Sequence, residues 1–209
     1  YLNYPKNEKK DIAKLKTVGC QAIYIPRVDE AYPKGLIKKN KVTKYRNILC
    51  DKFRPGHFNG VTTIVEFLFR VIQPNYAYFG EKDYQQYKII DNLNNKLKLG
   101  IKIQACPSVR LFNGLSLSTR YVNFLPQEKI IFNKCGNLIK ILINKLKNNY
   151  SVNLKEFKST FKKLGVKKID YIEIRNEDTL MISDTCYKSR LFVAMYIGKI
   201  RIIDNFILY

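Results

Sequence analysis

An alternation in the middle of the chain limits the fold more than any other feature of the sequence. From Val61 the apolar residues Ile64, Val65, Leu68, Val71 and Ile72 recur at helical spacing until Pro74 ends the run. Tyr76-Ala77-Tyr78-Phe79 then reads as a strand, Gly80 as a turn, residues 83–97 as a second helix and Ile101–Ala105 as another strand. Strands separated by helices of about ten to fifteen residues call for right-handed βαβ crossovers and a parallel sheet. Only part of such a sheet is visible, and a first strand and helix could lie before Tyr1.

The flanks are plainer. Residues 8–18 predict a helix capped by Asn7 and stopped by Gly19, with Ile12 and Leu15 facing inward. Ala22–Ile25 reads as a short buried strand ended by Pro26. The stretch 27–58 is basic and loop-rich, broken by Pro33, Gly35, Pro55 and Gly56. Beyond Val109 the character changes. Gln127–Lys147 predicts a long helix and Asn153–Leu164 a shorter one, with Leu154, Phe157, Phe161 and Leu164 inward. Strands near 168–174, 190–197 and 200–208 follow, a succession that suggests a small α+β unit.

Bulk properties narrow the function classes. The 209 residues suffice for a real core, and no apolar run of about eighteen residues predicts a membrane-spanning helix. The chain opens Tyr1-Leu2-Asn3-Tyr4-Pro5, without Met or a signal-peptide pattern, so a fragment or processed chain is expected. Cys20, Cys50, Cys106, Cys135 and Cys186 lie far apart with no Cys-x-x-Cys pair. That spacing argues against zinc, and the odd count fits a reducing compartment, with buried, inert thiols the expected state. A formal charge of +21 by itself points to nucleic acid. The cations, however, are mostly Lys and scattered, and the chain is also rich in Asn, Ile and Tyr, which share A/T-rich codons with Lys. Base bias accounts for the skew, and no nucleic-acid or membrane partner is expected.

Phe79-Gly80-Glu81-Lys82-Asp83-Tyr84-Gln85-Gln86 sits where a strand ends and a helix begins. In an open parallel sheet ligands bind at the carboxyl ends of strands. A helix start offers free N–H groups and a partial positive charge to a phosphate. Lys82 adds a mobile ammonium, Gly80 permits close backbone approach, and Asp83 could cap the helix or accept from ribose hydroxyls. The structural alternative is a capped helix with a solvated Lys82–Asp83 pair.

Gly80-Glu81-Lys82-Asp83-Tyr84-Gln85-Gln86 resembles the signature of pantothenate synthetases, and Arg54-Pro55-Gly56-His57-Phe58-Asn59-Gly60-Val61 resembles the family's second hallmark. Tyr4-Pro5-Lys6 and Ala31-Tyr32-Pro33-Lys34-Gly35 resemble weaker segments, and Val193 to Asn205 the closing strands. Asn113-Gly114-Leu115-Ser116-Leu117-Ser118-Thr119-Arg120 resembles the family's mobile phosphate loop, usually Asp-Gly-Leu-Ala-Met-Ser-Ser-Arg. Leu117 for Met and Thr119 for Ser are mild departures. Leu111-Phe112 stands where the family has an acidic residue followed by a small or polar one.

The resemblance implies an ATP-dependent ligase that joins pantoate to β-alanine through a pantoyl adenylate, with Mg2+ accompanying ATP. It implies that Gly80, Glu81, Lys82, Asp83, Val109, Leu117, Ser118, Thr119 and Arg120 contact ATP, with Lys82, Ser118, Thr119 and Arg120 acting in catalysis. Gln86 would hold pantoate, and no protein-held metal site is implied. The lone histidine, His57, is more often structural than catalytic in such a setting. The fold implied is a Rossmann-like nucleotide-binding domain over 1–108, N-terminally incomplete, and a smaller α+β lid over 109–209. A cytoplasmic homodimer is expected. A His-x-Gly-His motif and a pantoate-gripping Gln would belong before Tyr1, so residues 1–209 alone are expected to be inactive.

Overall fold

The computed structural model describes residues 8–32, 43–148 and 151–209. Asn7, Tyr4-Pro5-Lys6 and Pro33-Lys34-Gly35 lie outside them. The chain divides into two compact units, Tyr1–Lys38 and Lys39–Tyr209.

In the first unit, α1 (Glu8–Thr17) places Glu8 and Asp11 in its first turn and Lys14 and Lys16 in its last, matching the helix dipole. Gly19 stops it, donating its N–H to Lys16. Ile12 is half-buried, but Leu15 is exposed, contrary to the inward position expected of it. Ala22–Ile25 is irregular, and Tyr24 and Ile25 are exposed. A strand exists only where a second one completes its ladder, and no ladder forms at these residues. A short helix, α2 (Val28–Ala31), follows, its start held by the Glu30 carboxylate accepting from the Arg27 N–H.

The second unit begins with α3 (Leu49–Phe53) and α4 (His57–Ile72). Helix α4 starts one turn before Val61, because Gly56 takes a left-handed conformation (φ 80°) at its cap and Phe58 is buried in the first turn. Asn59 and Gly60 conceal that turn from any apolar periodicity. β1 (Tyr76–Gly80), α5 (Tyr84–Leu97) and β2 (Lys102–Cys106) form the expected βαβ unit, the strands pairing in parallel from Tyr76–Lys102 to Gly80–Cys106. Phe69 of α4, Ile90 of α5 and Ile101 bury one another beside Phe79 and Ile103. Asn94 latches the crossover by donating to the Ile101 carbonyl at 2.8 Å and accepting from its N–H at 3.2 Å.

Helices α6 (Pro126–Lys147) and α7 (Leu154–Lys163) precede an antiparallel sheet ordered β3 (Val166–Asn176), β4 (Ser189–Ile197), β5 (Ile200–Ile207). Asn153 caps α7 through its side chain, and Phe161 is fully buried. β4 is the middle layer of a three-layer arrangement. Its Leu191, Val193, Met195 and Ile197 face the core shared with Phe132, Ile139, Leu142 and Phe161. Phe192 and Ala194 face the opposite core, among Leu49, Phe58, Tyr84 and Ile89. A strand covered on both faces reads as one apolar run, which is what Leu191–Ile197 is. Fully burying each large side chain contributes roughly 1.5–3 kcal/mol, so the two cores hold β4 between the helices on either side.

Candidate active site

Gly80 is the last residue of β1, in an extended conformation, rather than a turn. No atom stands within 4 Å of the position its Cβ would take. Glu81–Asp83 form a single 3-10 turn before α5. Asp83 makes no capping hydrogen bond, and its carboxylate stands 3.8 Å from the Lys82 ammonium. Neither a firm cap nor a tight ion pair therefore ties up this carboxylate.

Two adjoining clefts meet at Lys82. The first contains about 380 Å³ of empty space, open to solvent, and Cys50, Arg54, His57, Asp83 and Gln86 share its wall with Lys82. Ser116, Ser118, Arg120 and Arg201 line the second, again with Lys82. The Gln86 side chain makes no hydrogen bond among the described residues, so its amide is available to a ligand. Its neighbour Gln85 is a staple instead: buried, it donates to the carbonyls of Tyr45 and Ile48 and accepts from the Cys50 N–H. Glu81 directs its carboxylate away from the clefts, into an ion pair with Arg190 at 3.2 Å. Val109 and Leu117 are exposed and joined by a backbone hydrogen bond, and with Gly80, Glu81 and Thr119 they line neither cleft.

The loop carrying Ser118 and Arg120 is anchored before it reaches them. Asn113 accepts from the Leu115 N–H and donates to Asn133 of α6. Gly136 of α6 permits this approach, because a Cβ there would stand 2.7 Å from the Asn113 carbonyl oxygen. Ser118 then caps a 3-10 turn, Thr119–Asn123, by accepting from the Arg120 N–H, and Arg120 donates to the Arg201 carbonyl at 2.8 Å.

Cations dominate the clefts: Lys82, Arg54, Arg120 and Arg201. Burial lowers the affinity of Arg54 for its proton, and the nearby charges of Arg201 and Arg120 add to the effect. Crowding of this kind is relieved by an anion. His57, on the first turn of α4, is 2.9 Å from Arg54 Nη1. A guanidinium only donates, so Nε2 accepts and the ring hydrogen sits on Nδ1. Burial, then the Arg54 charge, lowers the His57 pKa from 6.5 to about 4. The unfolded chain takes up this proton near pH 6.5 and the folded chain only near pH 4, so falling pH removes stability through that window. Urea midpoints at pH 7.5 and 4.5 should drop further for the unaltered chain than for His57→Asn; equal drops would remove His57 as the cause.

Among the described residues no group of three His, Cys, Asp or Glu side chains could hold a metal ion, and no helix is long and apolar enough to cross a membrane. The five thiols are free. Cys50 and Cys135 are buried, with burial pushing Cys135 up to about 12, whereas Cys20, Cys106 and Cys186 are half-buried rather than buried as expected. Arg54 and Arg201 stand in the segments Arg54–Val61 and Val193–Asn205, but no ligand contact is expected of either from the sequence. The signal was available for Arg54, three residues before the lone histidine; for Arg201 it was not, since only the sheet brings β5 here.

Fold and clefts together define a class: an α/β protein with a cation-lined site at a strand end. The pantoate-beta-alanine ligase family matches residues 1–207. A pantothenate synthetase from Buchnera aphidicola is 41% identical over 97% of this chain and 73% of its own length, and one from Caldicellulosiruptor bescii is 36% identical over 99% and 75%. Among solved structures, a pantothenate synthetase from Thermus thermophilus superposes with a TM-score of 0.87 at 29% identity, covering 99% of this chain and 76% of that one. A pantoate-beta-alanine ligase from Francisella tularensis, complexed with a β,γ-ATP ligand and β-alanine, gives 0.84 at 33% identity, covering 100% and 72%. The chain belongs to the pantoate–β-alanine ligase family.

Proposed function

We propose that the two clefts divide the substrates of an ATP-dependent ligation, phosphates in the second and pantoate in the first, with Lys82 between them. The observation that carries this reading is that Lys82 alone among the cations lines both. In the first step the pantoate carboxylate attacks the α-phosphorus of Mg-ATP, the bond to the bridging oxygen breaks, and pyrophosphate leaves pantoyl adenylate. In the second, the β-alanine amine displaces AMP to give pantothenate. The chain's part is positioning and electrostatic stabilisation.

Lys82, Ser118 and Arg120 take the catalytic roles, and Thr119, which lines neither cleft, belongs to the same segment. The ammonium and guanidinium follow charge as it builds on the α-phosphate and the departing pyrophosphate, and hydroxyls donate to the same oxygens. Gly80 gives a nucleotide room at the strand end, Asp83 accepts from its ribose, and exposed Val109 and Leu117 form an apolar edge for its base. Glu81 acts through its backbone, since its carboxylate is bound to Arg190. Gln86 holds pantoate with its unengaged amide. The described residues offer no group that could hold a metal by itself, so Mg2+ would be carried on the phosphates and would neutralise part of their charge. Residues 1–108 form the nucleotide-binding part and 109–209 the lid. Five free thiols fit a reducing, cytoplasmic setting. The protein acts as a homodimer, which sedimentation tests, and nothing in the scheme calls on nucleic acid or a membrane.

Labelled pyrophosphate should exchange into ATP when the complete protein is given pantoate without β-alanine. Exchange that requires β-alanine would exclude the two-step route.

A further inference from the structure

Two neighbouring side chains on β5 hold both walls of the proposed phosphate site. Asn205, 2% exposed, donates through Nδ2 to the carbonyls of Glu81 at 2.7 Å and Lys82 at 3.2 Å. Its Oδ1 accepts from Arg190 Nη1 at 2.9 Å, and Arg190 also pairs with Glu81. Asp204, 4% exposed, turns to the other segment. Its Oδ2 accepts from the Ser116 N–H at 2.7 Å and from Arg110 at 3.2 Å, and its Oδ1 from the Ser116 hydroxyl at 2.7 Å and the Asn205 N–H at 2.9 Å. Ser116 lies two residues before Ser118 and four before Arg120.

Sheet geometry explains how consecutive residues do this. Successive side chains of a strand point to opposite faces, so one position on β5 reaches the strand-end turn after β1 and the next reaches the loop after β2. The four groups held on the two segments themselves, the Glu81 and Lys82 carbonyls and the Ser116 N–H and hydroxyl, are backbone or a short side chain, which transmit position without the slack of a long side chain.

We propose that Asp204, which itself lines both clefts, and Asn205 behind it are positioning residues that fix the spacing between the Lys82 turn and the Ser118–Arg120 segment, and so set affinity for the phosphate chain through the groups they hold. The inference rests on the phosphate-site reading above. Buried hydrogen bonds to charged or desolvated groups are strong enough for their loss to matter about tenfold.

Asn205→Asp is the sharpest probe. It keeps the oxygen that accepts from Arg190 and replaces only the Nδ2 donor, setting a carboxylate oxygen against two carbonyls. Calorimetric titration with inorganic pyrophosphate should show affinity falling about tenfold. Because Asn205 acts through Lys82, the same change in a Lys82→Ala background should cost less than about twofold; a merely structural residue would weaken both backgrounds equally. If Asn205→Asp does not hold its fold by circular dichroism, Asp204→Asn with Arg120→Ala as background takes its place under the same thresholds. Unchanged affinity, equal losses in both backgrounds, or loss of fold in both variants overturns the positioning role. Absence of pyrophosphate binding by the unaltered chain would instead remove the phosphate-site reading beneath it.

Discussion

Lys82→Ala should slow pantoyl adenylate formation in the complete protein at least about tenfold. The ammonium stands between the two clefts, with its side chain 23% exposed and, among the described residues, no partner nearer than the Asp83 carboxylate at 3.8 Å. So loosely held a cation gives up little on turning to a phosphate. A hydrogen bond to a charged group contributes about 1.5–3 kcal/mol, and about 1.4 kcal/mol is a factor of ten in rate. Where the bond tightens as charge moves to the leaving pyrophosphate, the loss falls on turnover rather than on substrate affinity alone. Stability should change little, because the Lys82 ammonium has no close partner and belongs to no core cluster, and substitutions away from such features stay within about 0.5 kcal/mol. Lys9→Ala, on exposed α1, is the matched control. Single-turnover formation of the adenylate decides the matter, and equal rates for the two variants would remove Lys82 from the reaction.

What the sequence made legible is what depends on local chemistry. The α4–β1–α5–β2 succession was written in period and punctuation: helical spacing to Pro74, an apolar four-residue run, a second helix and a second run. Those signals survive because both strands find a partner in each other. Ala22–Ile25 carries a similar apolar run and forms no strand, because a ladder is a property of two segments and periodicity describes one. Leu15 failed for a related reason. Helical spacing marks an apolar face but does not by itself bury it, and α1 buries no residue fully.

The site was legible in its motifs and not in its wiring. Gly80–Asp83, Gln86 and the Ser118–Arg120 segment are short stretches whose residue types state their chemistry. That Glu81 serves as an anchor follows from Arg190, more than a hundred residues away, and nothing near Glu81 announces it. The same holds for Arg201 and Asp204, which the register of β5 against β4 carries to the clefts, and for Asn205 beside them. Val109 and Leu117 show the converse. Leu117 stands inside the Asn113–Arg120 segment and Val109 shortly after β2, yet the fold leaves both exposed outside the clefts.

Replacing Arg201 by Met should destabilise the chain by about 3–5 kcal/mol, the usual effect of stranding one member of a buried ion pair. Asp170 lies where β3 slips register against β4 between Ile169 and Tyr171, as at a bulge, which turns its side chain into the interior. That carboxylate is 1% exposed and accepts from Arg201 Nε at 2.8 Å. Lys168 comes within 3.2 Å of its other oxygen, which nevertheless has no hydrogen-bond partner, and Lys168 itself is mostly in solvent. Removing Arg201 therefore leaves a buried charge with one loosely held, hydrated cation. The pair is not thereby strongly favourable, since Arg201 Nη2 is also buried without an acceptor and desolvation offsets much of the attraction. Arg201→Met combined with Asp170→Leu should accordingly recover most of the loss. For a chain of about 200 residues each kcal/mol moves the melting temperature roughly 2–4 °C, so the single variant should melt at least about 6 °C below the unaltered chain and the double variant well above the single. A double variant melting no higher than the single would show that packing around the guanidinium, and not its charge, is what Arg201 provides.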